Sequence, residues 1–115
     1  MKALVVEDEK KIASFVCQGL EERGFVVDVC HRGDDGFELA TTRRYDVVLL
    51  DIMLPDDDGW ELLQALKRAP ATRPIPVIIC SVLGRPAVAI ALGADAYLQK
   101  PVDGPRLVAT LTPYC

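Results

Sequence analysis

Short apolar runs punctuate this chain, and between them apolar residues return at the spacing of an amphipathic helix. Ala3–Val6 is the first run and reads as a strand. Ile12, Phe15, Val16, Gly19 and Leu20 then mark a helix, closed by Arg23-Gly24, a cation followed by a C-terminal glycine. Phe25–Cys30 predicts a second strand, and Asp34 is the expected cap of a helix carrying Phe37, Leu39 and Ala40. Asp46–Leu50 is the third strand, and Asp58-Gly59 introduces a helix with Trp60, Leu62, Leu63 and Leu66. Residues 69–74, with prolines at 70 and 74, read as a loop. Pro76–Cys80 predicts a fourth strand, Pro86–Leu92 a short alanine-rich helix closed by Gly93, and Asp95–Leu98 a fifth strand. Asp103 is placed to cap a last helix with Pro105 in its first turn, and Thr112-Pro113 stops it after about two turns.

Strict alternation of strand and helix implies a parallel sheet covered on both faces. The expected architecture is a flavodoxin-like, doubly wound (βα)5 fold, a five-stranded parallel sheet in the order 2-1-3-4-5. That order sets the first and third strands side by side. Their carboxyl ends carry Glu7, Asp8 and Asp51, and open α/β sheets place ligands at that edge.

The 115 residues suit one domain, residues 1–115, and half of them are hydrophobic, which excludes disorder. A net charge of −4 without a basic block argues against direct nucleic-acid binding by this chain. The first apolar run is too short for a signal peptide or a membrane span, so a cytoplasmic protein without membrane contact is expected. Cys17, Cys30, Cys80 and Cys115 form no CxxC pair, and the lone His31 adds no second ligand, which leaves no zinc pattern. Cys17 and Cys80 are expected to be buried thiols, and Cys115 could oxidise between molecules.

Three carboxylates at strand ends, with Lys100 after the fifth strand, suggest a site for a divalent cation and a phosphoryl group. Crowded carboxylates repel unless a cation joins them. Asp8 and Asp51 are the expected direct Mg²⁺ ligands, Glu7 could hold a metal-bound water, and the Met53 backbone carbonyl could add a ligand. A plainer reading makes these acids helix caps. Lys100 is placed to meet phosphoryl oxygens, against the alternative of a solvated surface lysine. Pro101 allows a cis Lys100-Pro101 bond. Ser81 follows the fourth strand, where its hydroxyl could donate to a phosphoryl oxygen or simply hold a turn. Tyr97 could sit in or out, or pack in the core. Asp56 and Asp57 extend the acidic run towards Asp58, as a solvated turn or as a local repellent of anionic donors.

Together Val5-Val6-Glu7-Asp8-Glu9, Leu49-Leu50-Asp51-Ile52-Met53-Leu54-Pro55, Asp58-Gly59, Ser81, Leu92-Gly93-Ala94-Asp95-Ala96-Tyr97 and Lys100-Pro101 resemble the receiver domain of two-component response regulators. The resemblance runs from Lys2 to about Leu111. It implies that Asp51 is the phospho-acceptor, taking its phosphoryl group from a sensor histidine kinase or phosphotransfer protein. It also implies that Glu7 and Asp8 form a Mg²⁺ pocket, Ser81 is the switch hydroxyl, Tyr97 the switch aromatic and Lys100 the phosphate-contacting lysine. Such a domain is a signalling module rather than an enzyme. Its switching face, formed by helix four, strand five and helix five, would meet a downstream effector, an output domain of its own or a second copy.

The chain departs from the family in places. Val82 follows Ser81 where many receivers carry a small residue, and Val102 follows Pro101 where an aromatic is common. Residues up to about Lys67 resemble receivers of winged-helix transcription regulators. From Pro76 on, the short Ser81-to-Gly93 spacing and apolar Ala87-Val88-Ala89-Ile90-Ala91 resemble receivers of hybrid histidine kinases. A chimera, a receiver cut from a longer protein and a pseudo-receiver that binds without cycling phosphate are the alternatives. No output domain lies within the chain. An aspartate-nucleophile hydrolase would want an acid at Met53, and no glycine-rich nucleotide loop follows a strand.

Overall fold

The computed structural model describes residues 1–52, 59–82 and 85–114. Five strands, β1 (Lys2–Val6), β2 (Val26–Cys30), β3 (Val47–Asp51), β4 (Val77–Ser81) and β5 (Ala96–Gln99), alternate with five helices. These are α1 (Lys10–Glu22), α2 (Gly33–Thr42), α3 (Gly59–Arg68), α4 (Pro86–Ala91) and α5 (Gly104–Leu111). All strand pairs are parallel, in the order β2-β1-β3-β4-β5, as the alternation predicts.

Side chains alternate across the sheet and build two cores. Leu4, Val6, Val48, Leu50, Val77 and Ile79 face α2, α3 and α4, where they meet Leu62, Leu63 and Leu66. Ala3, Val5, Val47, Leu49, Ile78 and Cys80 face α1 and α5, where Val16, Leu20, Leu107 and Leu111 close over them. β3 and β4 are buried along their whole length because both faces are covered.

Several local expectations shift. Strands begin one residue later than the apolar pattern predicts at Phe25, Asp46, Pro76 and Asp95. Proline lacks the N–H a ladder needs, although the Pro76 carbonyl still accepts from Val48 N at 2.9 Å. α2 starts at Gly33 with Arg32 as its cap, so Asp34 lies in the first turn rather than at the cap. There its charge favours the positive end of the helix dipole. Phe15 and Phe37 are more exposed than the periodicity implies, and Cys17 is only half-buried. Asp103 does cap α5, accepting from Arg106 N at 2.8 Å. α5 is indeed short, and a 3-10 turn (Thr112–Tyr114) continues it. The Tyr114 hydroxyl donates to the Asp95 carbonyl at 3.3 Å, and its ring packs against the α1/α5-side core. Gly24 and Gly93 follow the C-caps of α1 and α4 with φ of 89° and 108°, the left-handed geometry glycine tolerates. No helix among the described residues is long and apolar enough to cross a membrane.

Gly59 sets the distance between α3 and the end of β3. Its N–H donates to the Ile52 carbonyl at 2.7 Å, and a Cβ there would meet the Asp51 carbonyl oxygen at 2.5 Å and the Ile52 backbone closer still. Backbone cannot yield as a side chain does. Gly59→Ala is therefore expected to cost about 2–3 kcal/mol. The check is a urea titration: the midpoint should fall at unchanged m-value, and a wild-type midpoint would refute the close-approach argument.

Candidate functional site

The carboxyl ends of β1, β3, β4 and β5 converge on one cluster of charged and hydroxylated side chains. Register aligns Val6 with Leu50, Asp51 with Cys80 and Ser81 with Gln99. Glu7, Asp51 and Ser81 are buried, at 3%, 4% and 1% exposure, whereas Asp8 faces solvent. Carboxylate oxygens of Glu7, Asp8 and Asp51 all lie within 4.8 Å of one another. The Lys100 ammonium sits 2.6 Å from Glu7 Oε1 and 3.4 Å from Asp51 Oδ2. Lys100 N donates to the Ser81 carbonyl at 2.9 Å, and the following Lys100-Pro101 peptide is cis.

The capping reading of Asp8 does not hold. The cap of α1 is Glu9, which makes no side-chain capping bond. Lys100 is no solvated surface lysine either, with its side chain only 9% exposed. Burial pushes the Glu7 carboxyl up to about 7; the Lys100 hydrogen bond opposes this, and Asp51 adds to it. Burial alone would lower the Lys100 ammonium, but the hydrogen bond and charge of Glu7, then the charge of Asp51, hold it above its ordinary value. Two buried acids thus share one ammonium, a balance that leaves a carboxylate reluctant to ionise. Three carboxylates, all hard oxygen donors with one edge open to water, suit a divalent cation of the Mg²⁺ or Ca²⁺ kind. Burial holds the Cys80 thiol up at about 12, so beside Asp51 it is packing rather than a nucleophile.

Glu7 ties stability to pH. Its native value of about 7 lies above the ordinary 4.5, so the folded state holds the proton more tightly. The resulting stability is fully present below 4.5 and is lost as pH rises through about 7, a loss of roughly 3 kcal/mol. Without divalent cations, urea stability should decline across that window. Glu7→Gln should flatten the decline, and an unchanged slope in that variant would assign it to other groups.

The site opens through a cleft of about 440 Å³ lined by Asp8, Glu9, Ile12, Asp51, Val82, Lys100 and Pro101. Val82 stands at its rim, 58% exposed. Tyr97 lies outside the cleft, half-buried on the α4 side. Its hydroxyl accepts from Arg85 N at 3.3 Å and faces the Ser81 carbonyl at 3.5 Å. The Met53 carbonyl, Asp56, Asp57, Asp58 and Cys115 fall outside the described residues. Sequence reasoning does not reach three neighbours of the site. His31 donates through Nδ1 to the Glu7 carbonyl at 2.7 Å, a contact foreshadowed only by its place just past β2, beside β1. Glu9 and Ile12 line the cleft because α1 starts at its mouth.

Comparison with known proteins decides the family. The family model for the response regulator receiver domain matches residues 3–112. The chain belongs to the response regulator receiver family. It is 43% identical over 112 residues to the transcriptional regulatory protein CusR of Escherichia coli K12, covering 95% of this chain and 48% of that protein. The receiver thus spans about half the length of that relative. The alignment to that regulator runs through both halves of the chain. The receiver domain of the Francisella response regulator 1452 superposes with a TM-score of 0.90 at 34% identity, covering 98% of this chain and 94% of that one. The receiver domain of the sensor histidine kinase PA1611 from Pseudomonas aeruginosa, solved with a magnesium ion in its active-site cleft, gives 0.89 at 25% identity, covering 98% and 95%.

Proposed function

We propose that this receiver accepts a phosphoryl group on Asp51 from a phosphohistidine of a sensor kinase or phosphotransfer protein. The observation that carries the reading is the buried Asp51 carboxylate, 3.4 Å from the Lys100 ammonium and within the three-acid cluster. Glu7, Asp8 and Asp51, with the Met53 carbonyl, would hold Mg²⁺. When bound, the ion neutralises charge on the transferring group and the acids. An Asp51 oxygen attacks phosphorus, the O–P bond forms as the P–N bond breaks, and the imidazole nitrogen leaves with the electron pair and takes up a proton. Lys100 stays beside the acceptor and stabilises the added oxygens. Ser81 turns its hydroxyl to the phosphoryl group, and the β4–α4 connection follows.

Tyr97 couples that movement to the α4–β5–α5 face. Its hydroxyl rests against Arg85 N and the Ser81 carbonyl, so a shift of Ser81 releases the ring to turn inward. Val88 and Ile90 stand exposed on α4, on a face suited to an effector, an output domain or a second copy. This is signalling rather than metabolic turnover, and the domain catalyses only its own phosphorylation and dephosphorylation.

The test is intact mass after incubation with Mg²⁺ and phosphoramidate or acetyl phosphate. A gain of one phosphoryl group that needs Mg²⁺ and Asp51 supports the reading. No gain from any donor, and no response to beryllofluoride, would mean a binding module that does not cycle phosphate. Val82 narrows the approach to Asp51, so Val82→Ala should speed both phosphorylation by small donors and hydrolysis by several-fold. Stopped-flow uptake and phosphoryl lifetime read this directly; unchanged rates would remove Val82 from the account.

A further inference from the structure

Glu9 occupies an unusual position. It is the N-cap of α1, where a short oxygen-bearing side chain ordinarily bonds the first free N–H groups. Glu9 makes no such side-chain bond; its backbone is engaged instead, the N–H donating to Glu7 Oε2 at 3.2 Å and the carbonyl accepting from Ala13 N at 3.0 Å. Its side chain is exposed and lines the mouth of the Asp51 cleft beside Asp8. Among the described residues that line the cleft Lys100 is the only cation, and it is buried against Glu7 and Asp51. Ile12, Val82 and Pro101, the other described lining residues besides Asp51, carry no charge. An incoming anion therefore meets the exposed carboxylates of Asp8 and Glu9 before it reaches the lysine.

We infer that Glu9 is a donor-selectivity residue, which discriminates against small dianionic acyl phosphates and favours phosphoryl donors of lower negative charge. The inference rests on the phospho-acceptor reading above. Its physical basis is graded: a fixed carboxylate at a cleft mouth repels a dianion twice as strongly as a monoanion, and salt screens both. Asp8 contributes to the same field, but it belongs to the metal-binding set. Glu9 is the member whose charge can be removed without touching that set.

The experiment compares wild type with Glu9→Gln, which preserves shape and removes charge, at saturating Mg²⁺ and low salt. Acetyl phosphate, a dianion near neutral pH, and phosphoramidate, a monoanion there, are the two probes. Glu9→Gln should raise the second-order rate constant about fivefold for acetyl phosphate and about twofold for phosphoramidate. Molar salt should erase both gains. An equal gain for the two donors, a gain that survives salt, or no gain would overturn the role of Glu9. A wild-type protein that takes phosphate from neither probe would instead sink the phospho-acceptor reading, and the selectivity with it.

Discussion

Asp51→Asn is expected to abolish phosphoryl uptake and, without divalent cations at pH 8, to make the domain more stable. The first effect follows from removing the attacking oxygen; an amide is no nucleophile towards phosphorus at neutral pH. The second follows from the packing of charge. Asp51 adds to the rise of the Glu7 carboxyl to about 7, through both a hydrogen bond and its charge. With Asp51 neutral, Glu7 ionises more easily and keeps Lys100 to itself at 2.6 Å. A gain of about 1–2 kcal/mol at pH 8 is the expected size. Since native Glu7 then titrates closer to its ordinary 4.5, the gain should shrink as pH falls below about 7, where wild-type Glu7 is already protonated. Mg²⁺ should narrow the gap from the other side, by stabilising wild type more than the variant. Intact mass and urea titrations at pH 8 and pH 5 check both halves. Lost phosphorylation with unchanged stability would show that the two acids do not repel across the site.

Lys100→Met should have the largest effect on stability. The lysine stem is kept in volume, and what disappears is the single ammonium between two buried carboxylates. Breaking a buried ion pair on one side leaves uncompensated charge, at a cost of about 3–5 kcal/mol. The sign with pH is again set by the acids. Without Lys100, Glu7 rises further above its present value of about 7, because the hydrogen bond that holds it down is gone. The cost is therefore fully felt at pH 8 and is relieved as the acids take up protons on the way to pH 5. Divalent cations should restore part of the loss, since they replace the missing positive charge. A variant equally destabilised at both pH values, and indifferent to Mg²⁺, would assign the loss to packing of the stem. Phosphoryl uptake should also slow, which separates this variant from Gly59→Ala, where the fold rather than the charge is disturbed.

The alternation of strand and helix, the strand order and the meeting of Glu7, Asp8 and Asp51 at one edge were all legible along the chain. Each rests on periodicity and connection rules that act locally or between neighbouring elements. Runs such as Val47–Leu50 and Val77–Cys80 are apolar without interruption, and only a strand covered on both faces needs that. The acids follow directly from where such strands stop. Lys100 was legible for the same reason, as the residue just past β5.

Tertiary structure alone decided the details that depend on what else packs nearby. Arg32 rather than Asp34 caps α2, because the cap is chosen by where β2 releases the chain and not by side-chain preference. Phe15 stays exposed although it keeps helical spacing, because it lies on the wall of an open groove between α1 and α5, lined also by Gly19, Gly104, Leu107 and Val108. Tyr114 closes the core where that helix ends, a contact between residues 19 apart in sequence that no local pattern carries. The sharing of one ammonium by Glu7 and Asp51, and the placing of the unspent Glu9 carboxylate at the cleft mouth, likewise arise between elements. Sequence by itself determined that Glu7, Asp8, Asp51, Ser81 and Lys100 reach the site. The fold decided how deeply each is buried and which charge it faces, because burial and charge contact are properties of the assembled layers.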